Sequence, residues 1–145
     1  MLDSMVALNR TASAAATALE LRCATDVTGF GLLGHAHEVA VRSEVRLELD
    51  AGAVPALPGA LEVAEQGIRT GGDRRNREFA APFVESTAAP ALEALAYDPQ
   101  TAGGLLFTLP AERRVVLEAA FVAAGLRVWA IGRVTTGSGV SLDGA

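Results

Sequence analysis

Residues 31–42 and 45–50 read GLLGHAHEVAVR and VRLELD, a helical pattern followed at once by a strand pattern. In the first segment, Leu32, Ala36, Val39 and Ala40 lie on one helical face, and Glu38 stands four residues before Arg42 in the favourable order for an ion pair. In the second segment, apolar and charged residues alternate, as in a half-buried strand. These segments predict a helix over 31–42 and a strand over 45–50.

The pattern on either side predicts further elements of both kinds. Residues 1–9 resemble the end of a helix that starts elsewhere, and Thr11 or Ser13 is a candidate cap for a helix that ends near Glu20. Further helices are predicted to end at Gln66, to cover 89–96 and to run from Pro110 to Gly125, with a loop over 67–76. Strands are predicted over 23–28, 105–109, 126–134 and 140–142. Helices and strands alternate irregularly, so we predict an α+β fold, a mixed β-sheet covered by helices, in one domain over 1–145.

The amino-acid composition argues against several classes of protein. The chain has 145 residues, half of them hydrophobic, which suits one core, and no apolar run approaches the roughly 20 residues that span a bilayer. With Cys23 as its single cysteine it cannot form an internal disulfide, so the reducing cytoplasm is the expected compartment. A net charge of −5 without a basic run argues against nucleic acid as a partner. All 12 basic residues are arginines, so the chain has no lysine for a Walker-type phosphate loop.

Three glycine-rich segments lie at junctions between predicted elements: TDVTGFG (25–31), GGDRRN (71–76) and DPQTAGG (98–104). Glycine lets backbone N–H groups approach a ligand, and a helix N-terminus favours anions, so Gly29 and Gly31 before the helix over 31–42 suit a phosphate group. The alternative is that these glycines only form turns.

Four side chains in or near these segments are candidates for chemistry. Asp26, at a strand end beside a glycine turn, can hold Mg²⁺ that bridges phosphates, or it can form an Asx turn or cap. Asp98, which precedes a proline, is more typical of a turn. His35 and His37 are predicted to lie on different faces of one helix, which is unfavourable for binding one metal ion together. Cys23 has no evident cationic neighbour and is typical of a small core residue.

The segments ATDVTGFGLLGH (24–35), GGDRRN (71–76) and DPQTAGGLL (98–106) together resemble the C-terminal domain of selenophosphate synthetase (selenide, water dikinase), in order and in spacing. The resemblance extends over nearly the whole chain but only over the second half of the family's protein. The fold it implies is the C-terminal domain of the aminoimidazole ribonucleotide synthetase-like superfamily.

The resemblance implies an enzyme that uses ATP, selenide and water to make selenophosphate, AMP and phosphate with Mg²⁺. In that family the reactive cysteine or selenocysteine, the essential lysine and most nucleotide contacts belong to the N-terminal half, so no catalytic residue is expected here. The implied metal ligand is Asp26, and the implied nucleotide contacts are Thr25, Thr28, Gly29 and Gly31. A homodimer is implied for the full-length enzyme, with its contact mainly in the N-terminal half.

Two alternatives remain open at this point. The same fold could belong to a related ATP-dependent synthetase of the purine-pathway or hydrogenase-maturation type, although the DPQTAGG run favours the selenium enzyme. A stand-alone domain could also be a non-enzymatic binding module.

Overall fold

The computed structural model describes residues 2–144, and Met1 and Ala145 lie outside the described residues. The helices are α1 Leu2–Met5, α2 Arg10–Ala18, α3 Gly31–Ser43, α4 Ala60–Glu65, α5 Asp73–Ala80, α6 Pro90–Tyr97 and α7 Arg114–Ala123. Short 3₁₀ turns cover Ala51–Ala53, Ala81–Phe83 and Ala111–Arg113. The strands are β1 Cys23–Asp26, β2 Arg46–Asp50, β3 Val84–Ser86, β4 Leu105–Thr108, β5 Gly132–Thr135 and β6 Val140–Asp143.

The strands form two separate sheets. Four of them pair in the order β3-β6-β2-β5, with β6 parallel to both neighbours and β5 antiparallel to β2. The other two, β1 and β4, form an antiparallel ribbon in which Cys23 faces Thr108 and Asp26 faces Leu105. The predicted α+β fold with a mixed sheet is therefore confirmed, and the ribbon is an addition to it.

The main core lies between α3 and the four-stranded sheet. Its deepest members are Leu33, Ala36, Val140 and Leu142, none of which exposes any side-chain surface. The alternation that predicted β2 also holds, since Leu47 and Leu49 point into this core. Burial of a leucine-sized side chain contributes about 1.5–3 kcal/mol, so this interface is the main source of stability.

A smaller apolar cluster packs helices α2 and α7 against the β1–β4 ribbon. Leu117 and Phe121 of α7 are buried, and the ring of Phe121 lies 5.6 Å from that of Phe107 in β4. Ala16 of α2 is also buried, and α2 contacts α7. The ribbon is thus attached to its own pair of helices.

Most predicted elements are confirmed within a few residues. The helix over 31–42 ends at Ser43, and Glu38 accepts a hydrogen bond from Arg42 at 3.3 Å. The helix end near 1–9 appears as α1, and Gly125, with φ +70°, follows α7 as predicted. The predicted caps of α2 are wrong: the helix begins at Arg10 after Asn9, whose side chain instead donates to the carbonyl of Gly104 at 3.3 Å.

The predicted loop over 67–76 is wrong in its second half, where α5 begins at Asp73. Its buried residues Asp73, Asn76 and Ala80 have helical spacing, but two of them are polar, so no apolar periodicity marks the helix. The Nε–H of Arg77, one turn later, donates to both carboxylate oxygens of Asp73, and Arg77 also pairs with Glu93 of α6. Ion pairs and buried amide bonds replace apolar contacts here.

The predicted strand over 126–134 is also wrong in extent, since β5 covers only Gly132–Thr135. Its partner β2 ends at Asp50 and turns into a 3₁₀ turn, so residues before Ile131 have no strand to pair with. The three-residue strand β3 lacked any pattern that could have predicted it. Among residues 2–144, no helix is both long and apolar enough to cross a membrane.

Candidate functional site

The three glycine-rich segments, far apart in sequence, meet at the end of strand β1. The carbonyl oxygens of Val27 and Thr28 accept hydrogen bonds from the backbone N–H groups of Gly103 at 2.9 Å and Gln100 at 3.0 Å. These bonds join the first segment to the third. The turn after β1 is thus held by backbone pairing to the α6–β4 turn.

Asn76 connects the second segment to the other two. Its buried side-chain amide donates to the carbonyl oxygens of Gly29 at 3.0 Å and Tyr97 at 2.8 Å. The sequence places Asn76 in a motif but gives it no role; its only signal is the helical spacing that it shares with Asp73. Asn76 is therefore the residue that fastens α5 to both turns.

Asp26 is the most available carboxylate of this junction. It is the last residue of β1, its side chain is exposed, and within the described part of the chain the carboxylate takes part in no hydrogen bond or ion pair. Asp98 differs, because its carboxylate accepts from the Thr70 hydroxyl at 2.7 Å and from the Gln100 amide at 2.9 Å. The turn role predicted for Asp98 is confirmed, whereas an Asx turn or cap at Asp26 has no hydrogen bond to support it.

The two predicted threonines have different surroundings. Thr25 is half-buried, and its hydroxyl donates to the carbonyl oxygen of Asp26 at 3.3 Å. Thr28 contacts His35 twice: its backbone N–H donates to Nε2 at 3.0 Å, and its hydroxyl lies 3.2 Å from the same nitrogen. The sequence did not predict this use of His35.

The two predicted glycines also differ. A Cβ added to Gly31, which has φ +69°, would lie 2.7 Å from the carbonyl oxygen of Tyr97, so this position requires glycine for packing and for backbone conformation. A Cβ added to Gly29 would meet nothing within 4 Å. Of the two, Gly29 is the one with open space beside it.

A row of five aromatic rings runs from the turn along α3 and α5. Neighbouring ring centroids in the order His35, Phe30, Phe79, His37 and Phe83 lie 5.6, 5.6, 5.8 and 4.1 Å apart. The two histidines have different surroundings: His35 faces the turn, whereas the buried His37 stacks on Phe83, and in the described part of the chain its Nδ1 has no hydrogen-bond partner.

A groove of about 430 Å³ borders the turn on the side of Thr25 and His35. Arg22, Arg42 and Glu38 are the charged residues of its lining, and Arg42 is paired with Glu38 at 3.3 Å. The half-buried thiol of Cys23 also lines it. Deeper in the junction, burial raises the pKa of the Tyr97 phenol, and the Glu93 carboxylate acts in the same direction. The guanidinium of Arg77 lies 4.5 Å from the centre of the Tyr97 ring. The groove therefore keeps one arginine, Arg22, without a carboxylate partner among the described residues, whereas the charged side chains of Arg77 and Glu93 below the turn are paired with each other.

A family profile described as AIR synthase related protein, C-terminal domain, matches residues 2–144. The chain belongs to this family. The domain is 38% identical to a selenide, water dikinase of Pelobacter propionicus over 133 residues, which are 90% of this chain and 38% of that protein. It is 44% identical to a selenide, water dikinase of Pseudomonas straminea over 108 residues, 73% of this chain and 30% of that protein.

Among solved structures, the AIR synthase related domain is similar to a thiamine-monophosphate kinase of Stenotrophomonas maltophilia. The TM-score is 0.60 and the identity 26%, and the match covers 86% of this chain and 32% of that one. The resemblance to selenophosphate synthetases is thereby confirmed, and the domain spans about a third of the length of the curated relatives that it matches.

Proposed function

We propose that this chain is the C-terminal domain of a selenide, water dikinase, an enzyme that uses ATP, selenide and water to make selenophosphate, AMP and phosphate. The observation that carries the proposal is the identity of 37–44% to dikinases of that name, against 26% to the thiamine-monophosphate kinase structure. The meeting of the three glycine-rich segments at one junction supports it. The proposed setting is a cytoplasmic homodimer of a longer protein, with ATP and selenide as ligands.

Asp26 is the proposed magnesium ligand. A hard cation such as Mg²⁺ prefers anionic oxygen, and the exposed, unpaired carboxylate of Asp26 meets that requirement. Within residues 2–144, no group of three His, Cys, Asp or Glu side chains is placed to hold a metal ion, so the remaining ligands would be phosphate oxygens, water or groups from elsewhere. When bound, Mg²⁺ would neutralise phosphate charge during transfer.

The nucleotide contacts proposed for this domain are Thr25, Thr28, Gly29 and Gly31. Gly29 supports the proposal best, because the open space beside it lets a phosphate approach the backbone. Gly31 would act through the start of α3 and not by direct approach, since Tyr97 occupies the space next to it. Arg22 gives the adjoining groove a positive charge that suits a nucleotide, because Arg42, the other arginine of its lining, is already paired with Glu38.

Phosphoryl transfer depends mainly on positioning and on charge neutralisation. A domain that presents one carboxylate and a fixed turn can contribute to both without carrying a nucleophile or a lysine. Closing over the nucleotide would also exclude water from the phosphoryl group, which must reach selenide first. The isolated chain is therefore expected to be inactive and to bind ATP weakly.

A pair of chimeras tests the proposal. Residues 2–144 replace the matching segment of the Pelobacter propionicus selenide, water dikinase in one, and of the Stenotrophomonas maltophilia thiamine-monophosphate kinase in the other. We expect selenide-dependent AMP formation only from the first chimera. Activity from the kinase chimera alone would reassign the domain, and two folded but inactive chimeras would favour a non-enzymatic module.

A further inference from the structure

The contact between His35 and Thr28 fixes the protonation pattern of the imidazole. A backbone N–H can only donate, so Nε2 of His35, 3.0 Å from the nitrogen of Thr28, must accept and cannot carry a proton. The hydroxyl of Thr28 lies slightly farther from the same nitrogen, at 3.2 Å, and shares the single lone pair in a bifurcated arrangement. The neutral ring then carries its proton on Nδ1.

We propose that His35, as the Nδ1–H tautomer, is a positioning residue that holds the turn between Asp26 and Gly29. The carbonyl oxygen of Thr28 already accepts from the N–H groups of Gly31 at 2.9 Å and Gln100 at 3.0 Å. With His35 accepting from the N–H, every polar group of the Thr28 backbone is paired. Without the imidazole, that N–H has no acceptor in the described part of the chain.

The geometry of α3 explains why a histidine at this position can reach the turn. His35 lies in the second turn of the helix, and helical side chains lean towards the N-terminus, so the ring extends back over the chain that enters α3. The ring of Phe30 flanks it at 5.6 Å and limits its rotation. An imidazole held in this way offers one acceptor in a fixed direction.

The effect on Asp26 is indirect. Asp26 stands two residues before Thr28, and within residues 2–144 its carboxylate has no side-chain partner to orient it. Its direction is set by the backbone, which is paired to Leu105 on one side and held at Thr28 on the other. The importance of this for catalysis rests on the proposed function, whereas the geometry of the turn does not.

His37 provides a control within the same helix. It has the same ring, it is buried, and it lies two residues farther along α3, where its ring contacts are Phe79 and Phe83. Among the described residues its Nδ1 has no hydrogen-bond partner. A change at His37 therefore perturbs the helix interior without removing an acceptor from Thr28.

The test measures the tautomer of His35 and the protection of the Thr28 amide in the isolated chain. In ¹⁵N spectra of the imidazoles at neutral pH, Nε2 of His35 should appear unprotonated and Nδ1 protonated. In His35→Phe, amide hydrogen exchange at Thr28 should become roughly tenfold faster, the value of one net hydrogen bond. His35→Gln, whose side-chain carbonyl can accept, should restore part of the protection, and His37→Phe should leave Thr28 unchanged.

Two results would overturn the inference: a proton on Nε2 of neutral His35, or the same Thr28 exchange rate in His35→Phe and in the unaltered chain. If His35→Phe does not fold, the tautomer of the unaltered chain decides alone. Because neither measurement uses nucleotide or selenide, inactive chimeras together with the expected tautomer would disprove the proposed function and leave the positioning role intact.

Discussion

The four-stranded sheet and the β1–β4 ribbon differ in how deeply their strands bury their side chains. Three consecutive residues of β6, Val140, Ser141 and Leu142, are buried, so both faces of that strand are covered. In β1, half-buried and exposed residues alternate, and Asp26 ends the strand in solvent. The sheet with α3 therefore carries the stability of the domain, while the ribbon ends in the exposed turn at which we propose that a ligand binds. The difference leads to four predictions about which substitutions affect folding and which affect activity.

The largest loss of stability is expected at Leu33, which exposes none of its surface beneath the sheet. Leu33→Ala should lower the free energy of unfolding by about 2–5 kcal/mol, from lost burial and from the cavity left behind. Urea denaturation followed by circular dichroism measures this. Leu8→Ala is the matched control, because Leu8 is 76% exposed; equal losses in both variants would refute the assignment of the core.

Asp26→Asn should affect activity and not folding. In the dikinase chimera we expect turnover to fall on the order of 100-fold or more, about 2.7 kcal/mol in the barrier, because a charge that acts on the phosphoryl group is removed. The unfolding midpoint of the isolated chain should not change, and high Mg²⁺ should restore turnover only in part. Asp143→Asn, on β6 of the sheet, should retain turnover. Normal turnover of Asp26→Asn would show that Asp26 is not a metal ligand.

Asn76→Ala tests whether the polar junction contributes to stability as well as to the site. The substitution removes the donor from the carbonyl groups of Gly29 and Tyr97, at an expected cost of about 1–3 kcal/mol. Urea denaturation measures the loss. Asn9→Ala removes a single, longer bond to Gly104 and should cost less. A loss at Asn76 no larger than at Asn9 would mean that the junction depends on backbone pairing alone.

The smallest effect is expected at Glu48, a half-buried residue of β2 that pairs with the edge strand β5. Hydrogen bonds from Arg133 and Thr135 lower the pKa of the Glu48 carboxyl below 4.5, its ordinary value. A depressed folded-state pKa means stabilisation that is complete above that ordinary value and is lost as the pH falls through the folded value. The unfolding free energies of the unaltered chain and of Glu48→Gln should therefore differ at neutral pH and converge below pH 4.5. An Arg133→Gln background should reduce the difference; a difference independent of pH would contradict the assignment.

Sequence patterns predicted the elements whose burial is apolar. Helices α3 and α7 and strand β2 follow directly from their hydrophobic periodicity, and β6 was predicted over 140–142. Helix α5 was not predicted, because its buried positions include the polar residues Asp73 and Asn76, whereas hydrophobic periodicity depends on apolar residues. The start of the strand predicted over 126–134 was wrong because it depends on where its partner β2 ends, which is a property of the tertiary structure.

The sequence predicted the segments that form the candidate site but not the hydrogen bonds that join them. The three segments were recognised by their glycines, and Asp26 by its position at a strand end. The bonds of Asn76 to Gly29 and Tyr97, and of His35 to Thr28, join residues that no local pattern links. The assignment of Asp26 and of the nucleotide contacts stays a prediction until turnover is measured.

The long-range bonds of the junction also determine when the site can form during folding. The carbonyl oxygen of Thr28 can accept its hydrogen bond only once Gln100 is in place, and that of Gly29 only once the side chain of Asn76, 47 residues away, is in place. Closing such loops costs more entropy than forming the local contacts of α3. The helix can therefore begin early, as the chain leaves the ribosome, whereas the turn that presents Asp26 is completed only after residue 103 has been synthesised and folded back.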